Sequence, residues 1–258
     1  MGHDDASIPR AWRVCVTRDE RPDGALADAL RARGFNPAPC VVLVECEPES
    51  PEHLRRVAAR LDEFDWIICA SARAVRALTA ARGAPWPPGV RTAAVGRRTA
   101  EALVTTGASP PPVVAEGDGA DALWNALRHQ ADWRDVRVLL PTTSGGRRTL
   151  VDALRSAGAA VEEVEAYRMC TRDRRAIAAD WAAAAPDAVV IASPRAADAL
   201  LDAVGGDALR HLQVVVAIGH TTADALRDRG IPALVPATAD FREAVRVLVA
   251  CRAAGPGS

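Results

Sequence analysis

Residues Asp187–Leu200 read DAVVIASPRAADAL, and residues Asp65–Leu78 read DWIICASARAVRAL. Each opens with an unbroken apolar run, which suits a strand buried on both faces of a parallel sheet. A serine follows at once, Ser71 in one stretch and Ser193 in the other. Serine at such a junction caps a helix, because its oxygen accepts one of the helix's first free N–H groups. Strand, cap and helix make the repeating unit of α/β architecture.

The same alternation extends outward along the chain. Strands are expected at Arg13–Thr17, Val41–Val44, Trp66–Ala70, Thr92–Val95, Val136–Leu140, Val161–Glu165, Ala188–Ala192 and Val214–Ile218. Between them, apolar residues recur at helical spacing, as in Leu54, Val57, Ala58 and Leu61, or Leu150, Ala153 and Leu154. Gly34, Gly107, Gly158 and Gly230 stand where helices end and a left-handed residue is needed. Three blocks also occur twice in the same order. Val14–Gly34 aligns with Val138–Gly158, Asp65–Leu78 with Asp187–Leu200, and Ala93–Gly107 with Val216–Gly230, at offsets of about 123 residues. Two copies of one α/β unit follow, each the size of a small domain. The repeats leave open which first block joins which second and third. Stretches around Cys40–Glu45 and Val161–Arg168 read as extended strands that can pair as a crossover. If they do, the middle of the chain is one domain and the two ends fold together as the other.

Composition excludes several chemistries. The 258 residues suffice for one large domain or two small ones. Basic and acidic side chains number 32 and 33, giving a net charge of −1, so no basic field points to nucleic acid. All the basic residues are Arg. Without Lys there is no Schiff base, no phosphate-binding Walker loop and no kinase lysine. The cysteines (Cys15, Cys40, Cys46, Cys69, Cys170 and Cys251) form no Cys-x-x-Cys, and the five His fit no metal-binding spacing. Reduced thiols and no metal are expected. The opening MGHDDASIPRAW lacks the apolar stretch of a signal peptide. No run approaches the roughly 20 apolar residues of a membrane span. A cytoplasmic protein without membrane contact is expected.

Conventional catalytic motifs are scarce. Gly117–Ala122 fits a dinucleotide fingerprint loosely, without the acidic residue that should end the next strand, and reads better as a plain helix start. What recurs is small polar residues and Arg at strand ends: Thr17-Arg18, Ser71-Ala72-Arg73, Gly96-Arg97-Arg98-Thr99, Thr142–Arg147, Ser193-Pro194-Arg195 and Gly219-His220-Thr221-Thr222. Ligands of open α/β sheets bind beyond the carboxyl ends of the strands. Helix N-termini favour anions there, and guanidinium adds bidentate recognition of carboxylate or phosphate. One such residue alone reads as capping or a solvated charge; the whole set reads as a site for a polyanion. Tyr167, the single tyrosine, follows the expected strand at Val161–Glu165. Its ring suits packing and its hydroxyl suits a donor or weak acid, and the residues leave both open.

Taken together these segments resemble the uroporphyrinogen-III synthase family. The resemblance runs from about Arg13 to Val249 and rests on VTR at Val16–Arg18, DWIICAS, AVGRRTAEAL, EAYR, DAVVIASP and AIGHTTADAL in that order. His220 stands where the family often has Pro, and CAS replaces the commoner Phe-Thr-Ser. The implied fold is α/β, with two similar parallel-sheet (flavodoxin- or Rossmann-like) domains joined by a two-stranded β-ladder. The implied domains are residues 1–39 with 168–258, and residues 40–167, with an open cleft between them. The implied activity is that of a cofactor-free lyase. It removes the terminal hydroxyl of hydroxymethylbilane as water, passes through a spiro intermediate, inverts ring D and closes the macrocycle. On that reading Tyr167 is the hydroxyl donor. Thr17, Arg18, Ser71, Arg73, Gly96, Thr99, Ser193, Arg195, Gly219, Thr221 and Thr222 hold the eight carboxylates. A monomer is expected, with no nucleic-acid partner and a transient contact with hydroxymethylbilane synthase. The alternative is a non-catalytic synthase-like sensor of an anionic ligand, which would often carry a DNA-binding appendage; no winged-helix extension follows the last helix. A two-domain sugar or phosphate receptor would carry an export signal.

Overall fold

The computed structural model describes residues 10–19, 24–115, 120–143 and 148–254. In chain order the elements are β1 (Arg13–Val16), α1 (Ala25–Arg31), β2 (Asn36–Pro39), β3 (Leu43–Cys46), α2 (Pro51–Ala59), β4 (Trp66–Cys69), α3 (Ala72–Arg82), β5 (Arg91–Val95), α4 (Arg97–Thr105), β6 (Val113–Ala115), α5 (Ala120–Leu127), β7 (Arg137–Thr143), α6 (Thr149–Ser156), β8 (Ala160–Thr171), α7 (Arg174–Ala184), β9 (Ala188–Ile191), α8 (Pro194–Val204), α9 (Gly206–Arg210), β10 (Val214–Ala217), α10 (His220–Asp228) and α11 (Phe241–Ala254). They form two compact units. The first is Met1–Val44 with Cys170–Ser258, and the second is Glu45–Met169. The chain passes from one to the other within β3 and again within β8.

In the first unit the sheet order is β10-β9-β1-β2, with every pair parallel. The strands are sandwiched, so alternate side chains enter opposite cores. Cys15, Val189 and Ile191 meet Ile177, Leu200 and Leu226 on one face. Val14, Val16, Ala188 and Val190 meet Leu26, Leu30, Val245 and Leu248 on the other. The second unit contains the sheet β3-β8-β7-β4-β5-β6, in which β8, β7, β4, β5 and β6 pair in parallel. Ile67 and Cys69 face α2, α3 and α4, while Trp66 and Ile68 face α5 and α6. Double-sided burial is why these strands lack polar alternation.

Strand pairing answers the question the repeats left open. β1 pairs with β9, and β7 pairs with β4, so each first block sits beside the second block of the other copy. The register is the same in both units: Val14 opposes Ala188 and Pro37, and the equivalent Val138 opposes Trp66 and Val161. One carboxylate in each unit fixes it. Asp187 accepts the Arg13 N–H at 2.7 Å, and its own N–H donates to the Arg13 carbonyl at 2.8 Å. Asp65 does the same for Arg137, at 2.8 and 2.9 Å.

Four strand expectations need correction. β2 was not expected, since Asn-Pro-Ala-Pro reads as a loop. It is an edge strand, and Asn36 and Cys40 donate to Trp12 and Val16. The intervening prolines therefore turn their missing N–H positions to the open edge, where the ladder loses nothing. The strand expected at Val41–Val44 lies at Leu43–Cys46. The one expected to end at Glu165 continues to Thr171, so Tyr167 lies inside β8 rather than after it. β7 likewise runs on through Pro141 to Thr143, past the last β4 pairing at Leu139. Residues 117–119 of the Gly117–Ala122 string, and residues 144–147, fall outside the described residues.

The clamp predicts an asymmetric cost. Asp187→Ala, which orphans a half-buried strand N–H, should destabilise by about 1–3 kcal/mol. Asp65→Ala, at an exposed position, should cost about 1 kcal/mol or less. Urea denaturation followed by tryptophan fluorescence measures both; equal losses would show that burial of the carboxylate does not matter.

Candidate active site

In the second unit the site is built at the start of α3. Ser71 has extended backbone (φ −153°), and its Oγ accepts the Ala74 N–H at 3.1 Å, closing the helix end. The same Oγ lies 3.3 Å from the Tyr167 hydroxyl. Tyr167 reaches it through a β-bulge. Thr142 opposes Glu165 but Thr143 opposes Tyr167, so Ala166 is the extra residue. A regular strand would turn Ala166 and Tyr167 to opposite faces; with the bulge both enter the core beneath α2 and α3. Tyr167 is 8% exposed. A cavity of about 400 Å³ opens beside it, lined by Glu45, Leu54, Ala77 and Ala81 among others.

Arg73, in the first turn of α3, sits where the helix dipole disfavours a cation. Its guanidinium turns to Glu45 on β3 at 3.3 Å, and to the Met169 sulfur at 3.4 Å. Cys69 ends the strand below. Burial pushes its thiol up to about 12, so it is a packing group and not a nucleophile. At the neighbouring strand end, Gly96 has φ +73° and donates its N–H to Ala115. Its carbonyl accepts the Thr99 N–H at 3.2 Å, which leaves the N–H groups of Arg97 and Arg98 ahead of the helical ladder. Thr99 itself is buried.

The first unit repeats this construction. Ser193 Oγ accepts the Ala196 N–H at 3.2 Å from an equally extended backbone. Gly219 accepts the Thr222 N–H at 3.0 Å, leaving the His220 and Thr221 N–H groups at the start of α10. Thr221 is exposed and Thr222 buried. Arg195 is exposed beside a cavity of about 340 Å³ that Arg172, Arg174 and Asp198 also line. Thr17 is turned inward. It is 1% exposed, and its hydroxyl donates to the Val190 carbonyl, tying β1 to β9. Arg18 stacks over the Phe241 ring at 4.6 Å.

A family model described as uroporphyrinogen-III synthase HemD matches residues 24–246. The chain belongs to the uroporphyrinogen-III synthase family. A uroporphyrinogen-III synthase from Synechococcus elongatus is 32% identical over 164 residues, covering 60% of this chain and 59% of that protein. The matched part thus spans less than two thirds of that relative. A mutant uroporphyrinogen III synthase from Thermus thermophilus superposes with a TM-score of 0.58 at 21% identity, covering 95% of this chain and all of the other. A uroporphyrinogen-III synthetase from Helicobacter pylori gives 0.61 at 14% identity, covering 93% and 99%. At these identities the two structures show a shared fold, with parallel sheets in an α/β arrangement.

Within this synthase fold, sequence reasoning missed Glu45 and Met169, the partners of Arg73. Nothing local marks them, because they meet Arg73 only through strand placement. It also missed that Ser71 has a partner beyond its own helix. No helix among the described residues is long and apolar enough to cross a membrane. Cysteine accessibility checks the packing under the site. Iodoacetamide on the native protein should leave Cys15 and Cys69 unmodified and label the half-buried Cys46, Cys170 and Cys251 first. Early labelling of Cys69 by mass spectrometry would refute the buried strand end.

Proposed function

We propose that this chain converts hydroxymethylbilane to uroporphyrinogen III, as a monomer in the cytoplasm, with the synthase that makes hydroxymethylbilane as a transient partner. The observation that carries the reading is the family match over residues 24–246. The chemistry of the strand ends supports it. Exposed Thr221 and the Ser193 cap of α8 lie at helix starts, as do the leading N–H groups of α4 and α10. Such groups suit carboxylates. Arg18, Arg73 and Arg195 add charge of the right sign. Thr17, Thr99 and Thr222 are buried, and the Thr17 hydroxyl donates to the Val190 carbonyl.

Tyr167 is the group positioned for the leaving hydroxyl. The C–O bond of the terminal hydroxymethyl breaks with its electron pair on oxygen, and the Tyr167 proton completes water. The pyrrole nitrogen supplies electrons to the carbon left behind. Attack by the substituted carbon of ring D forms the spiro centre, and the older bond from that carbon to the neighbouring ring's methylene then breaks. Reclosure on the unsubstituted ring-D carbon frees that carbon's proton, which restores the phenol, so no cofactor is consumed. The remaining contribution is orientation: holding a flexible chain so that the substituted carbon of ring D attacks first is worth several orders of magnitude in rate.

The test is to supply enzymatically generated hydroxymethylbilane, oxidise the product and separate the isomers. Type III porphyrin is expected, and only type I, as in the blank, would sink the enzymatic reading in favour of a sensor. Tyr167→Phe should lower kcat by about 10²-fold, the lower end for a general acid, with type III still the product. An unchanged rate would remove Tyr167 from the reaction.

A further inference from the structure

We infer that Ser71 is a positioning residue for Tyr167: its hydroxyl donates to the phenol oxygen and so leaves the phenol proton free for the substrate. This deepens the reading of Tyr167 as hydroxyl donor and rests on it. Two observations carry it. Ser71 Oγ already accepts the Ala74 N–H, so one lone pair is committed to the cap. A serine hydroxyl has one proton left to give, and the Tyr167 oxygen stands 3.3 Å away. The alternative direction, phenol to serine, would spend the one proton the reaction needs.

The geometry suits a changing charge. As the Tyr167 proton moves to the departing hydroxyl, negative charge grows on the phenol oxygen. A hydrogen bond to a charged acceptor is shorter and stronger than one to a neutral one, so the 3.3 Å contact tightens in the transition state. The Ala74 N–H polarises Ser71 from behind, and the positive end of α3 lies at the same point. Ser193 holds the same cap on α8 in the other unit, which contains no tyrosine of its own, since Tyr167 is the single tyrosine of the chain and belongs to the second unit. The β-bulge at Ala166 makes the difference, because it delivers the ring to one of two equivalent caps.

The single tyrosine makes the bond directly observable. The intensity ratio of the tyrosine Fermi doublet in the Raman spectrum reports whether a phenol accepts or donates a hydrogen bond, and here it reports one residue. The variants are Ser71→Gly, which keeps most of a helix cap without the hydroxyl, Ser71→Ala, and Ser71→Thr, which keeps both cap and hydroxyl. Expected are an accepting phenol in the parent and in Ser71→Thr, and loss of that signature in Ser71→Gly and Ser71→Ala. The kcat should fall about 10- to 100-fold in Ser71→Gly, the worth of one hydrogen bond to a charged group, and recover in Ser71→Thr. On a Tyr167→Phe background, Ser71→Gly should cost little more, because the two act as a unit. A doublet unchanged by Ser71→Gly would overturn the bond whatever the enzyme does. A changed doublet with an unchanged kcat would overturn its role. Full activity in Tyr167→Phe would remove the underlying reading and this inference with it, while the doublet would still tell whether the bond exists.

Discussion

In both units the sheet is anchored where a carboxylate at the foot of one strand takes the first N–H of its neighbour. Asp187 holds Arg13, and Asp65 holds Arg137. The energetic gain of each contact is modest, but the positional consequence is large. Side chains of a strand alternate between faces, so a slip of one residue would send every core residue to the wrong side. With Asp187 in place, Val14 opposes Ala188, and the alternating cores beneath α1 and α11 and beneath α7, α8 and α10 follow. With Asp65 in place, Val138 opposes Trp66, and β8 aligns on β7 from its first residue.

That alignment is then broken once, and the break brings Tyr167 to Ser71. Had β8 stayed regular past Glu165, Tyr167 would face away from α3 and its hydroxyl would have no capping serine to meet. The extra residue at Ala166 brings Val164, Ala166 and Tyr167 to one core. On the α3 side the cavity wall is made of the small residues Ala77 and Ala81, which leaves space beside the ring. Rigidity comes from the strand and reach from the bulge, a combination common where a sheet presents a functional side chain.

The all-arginine character gains meaning in this setting. Many guanidinium groups are spent on neighbours: Arg60 on Glu63 and Glu162, Arg172 on Asp180 and the Val41 carbonyl, Arg252 on the carbonyls of Gly34 and Arg33. Such pairs are individually weak when exposed. They explain how a chain of nearly zero net charge carries so many cations. Arg73 is the instructive case. Its ion pair with Glu45 offsets an unfavourable place at a helix start and holds the guanidinium next to Tyr167's strand.

Much of this was legible in the residues. WIICA and AVVIA are strands because nothing polar interrupts them, Ser71 and Ser193 are caps because serine follows a strand and precedes a helical pattern, and the repeated blocks are real down to the register of their pairing. The uroporphyrinogen-III synthase motifs were legible in the same way, as short segments in a fixed order. Edges, bulges and partners were not. Pro37 and Pro39 look like strand breakers until the strand is known to lie at an edge, where no neighbour asks for their N–H. Thr17 shows no partner until its hydroxyl is found on Val190. Local pattern, set by spacing along the chain, was determined by the sequence alone. Which first block pairs with which second block, and that Tyr167 turns toward Ser71, were decided only by the tertiary structure, because both depend on hydrogen bonds between residues more than seventy positions apart.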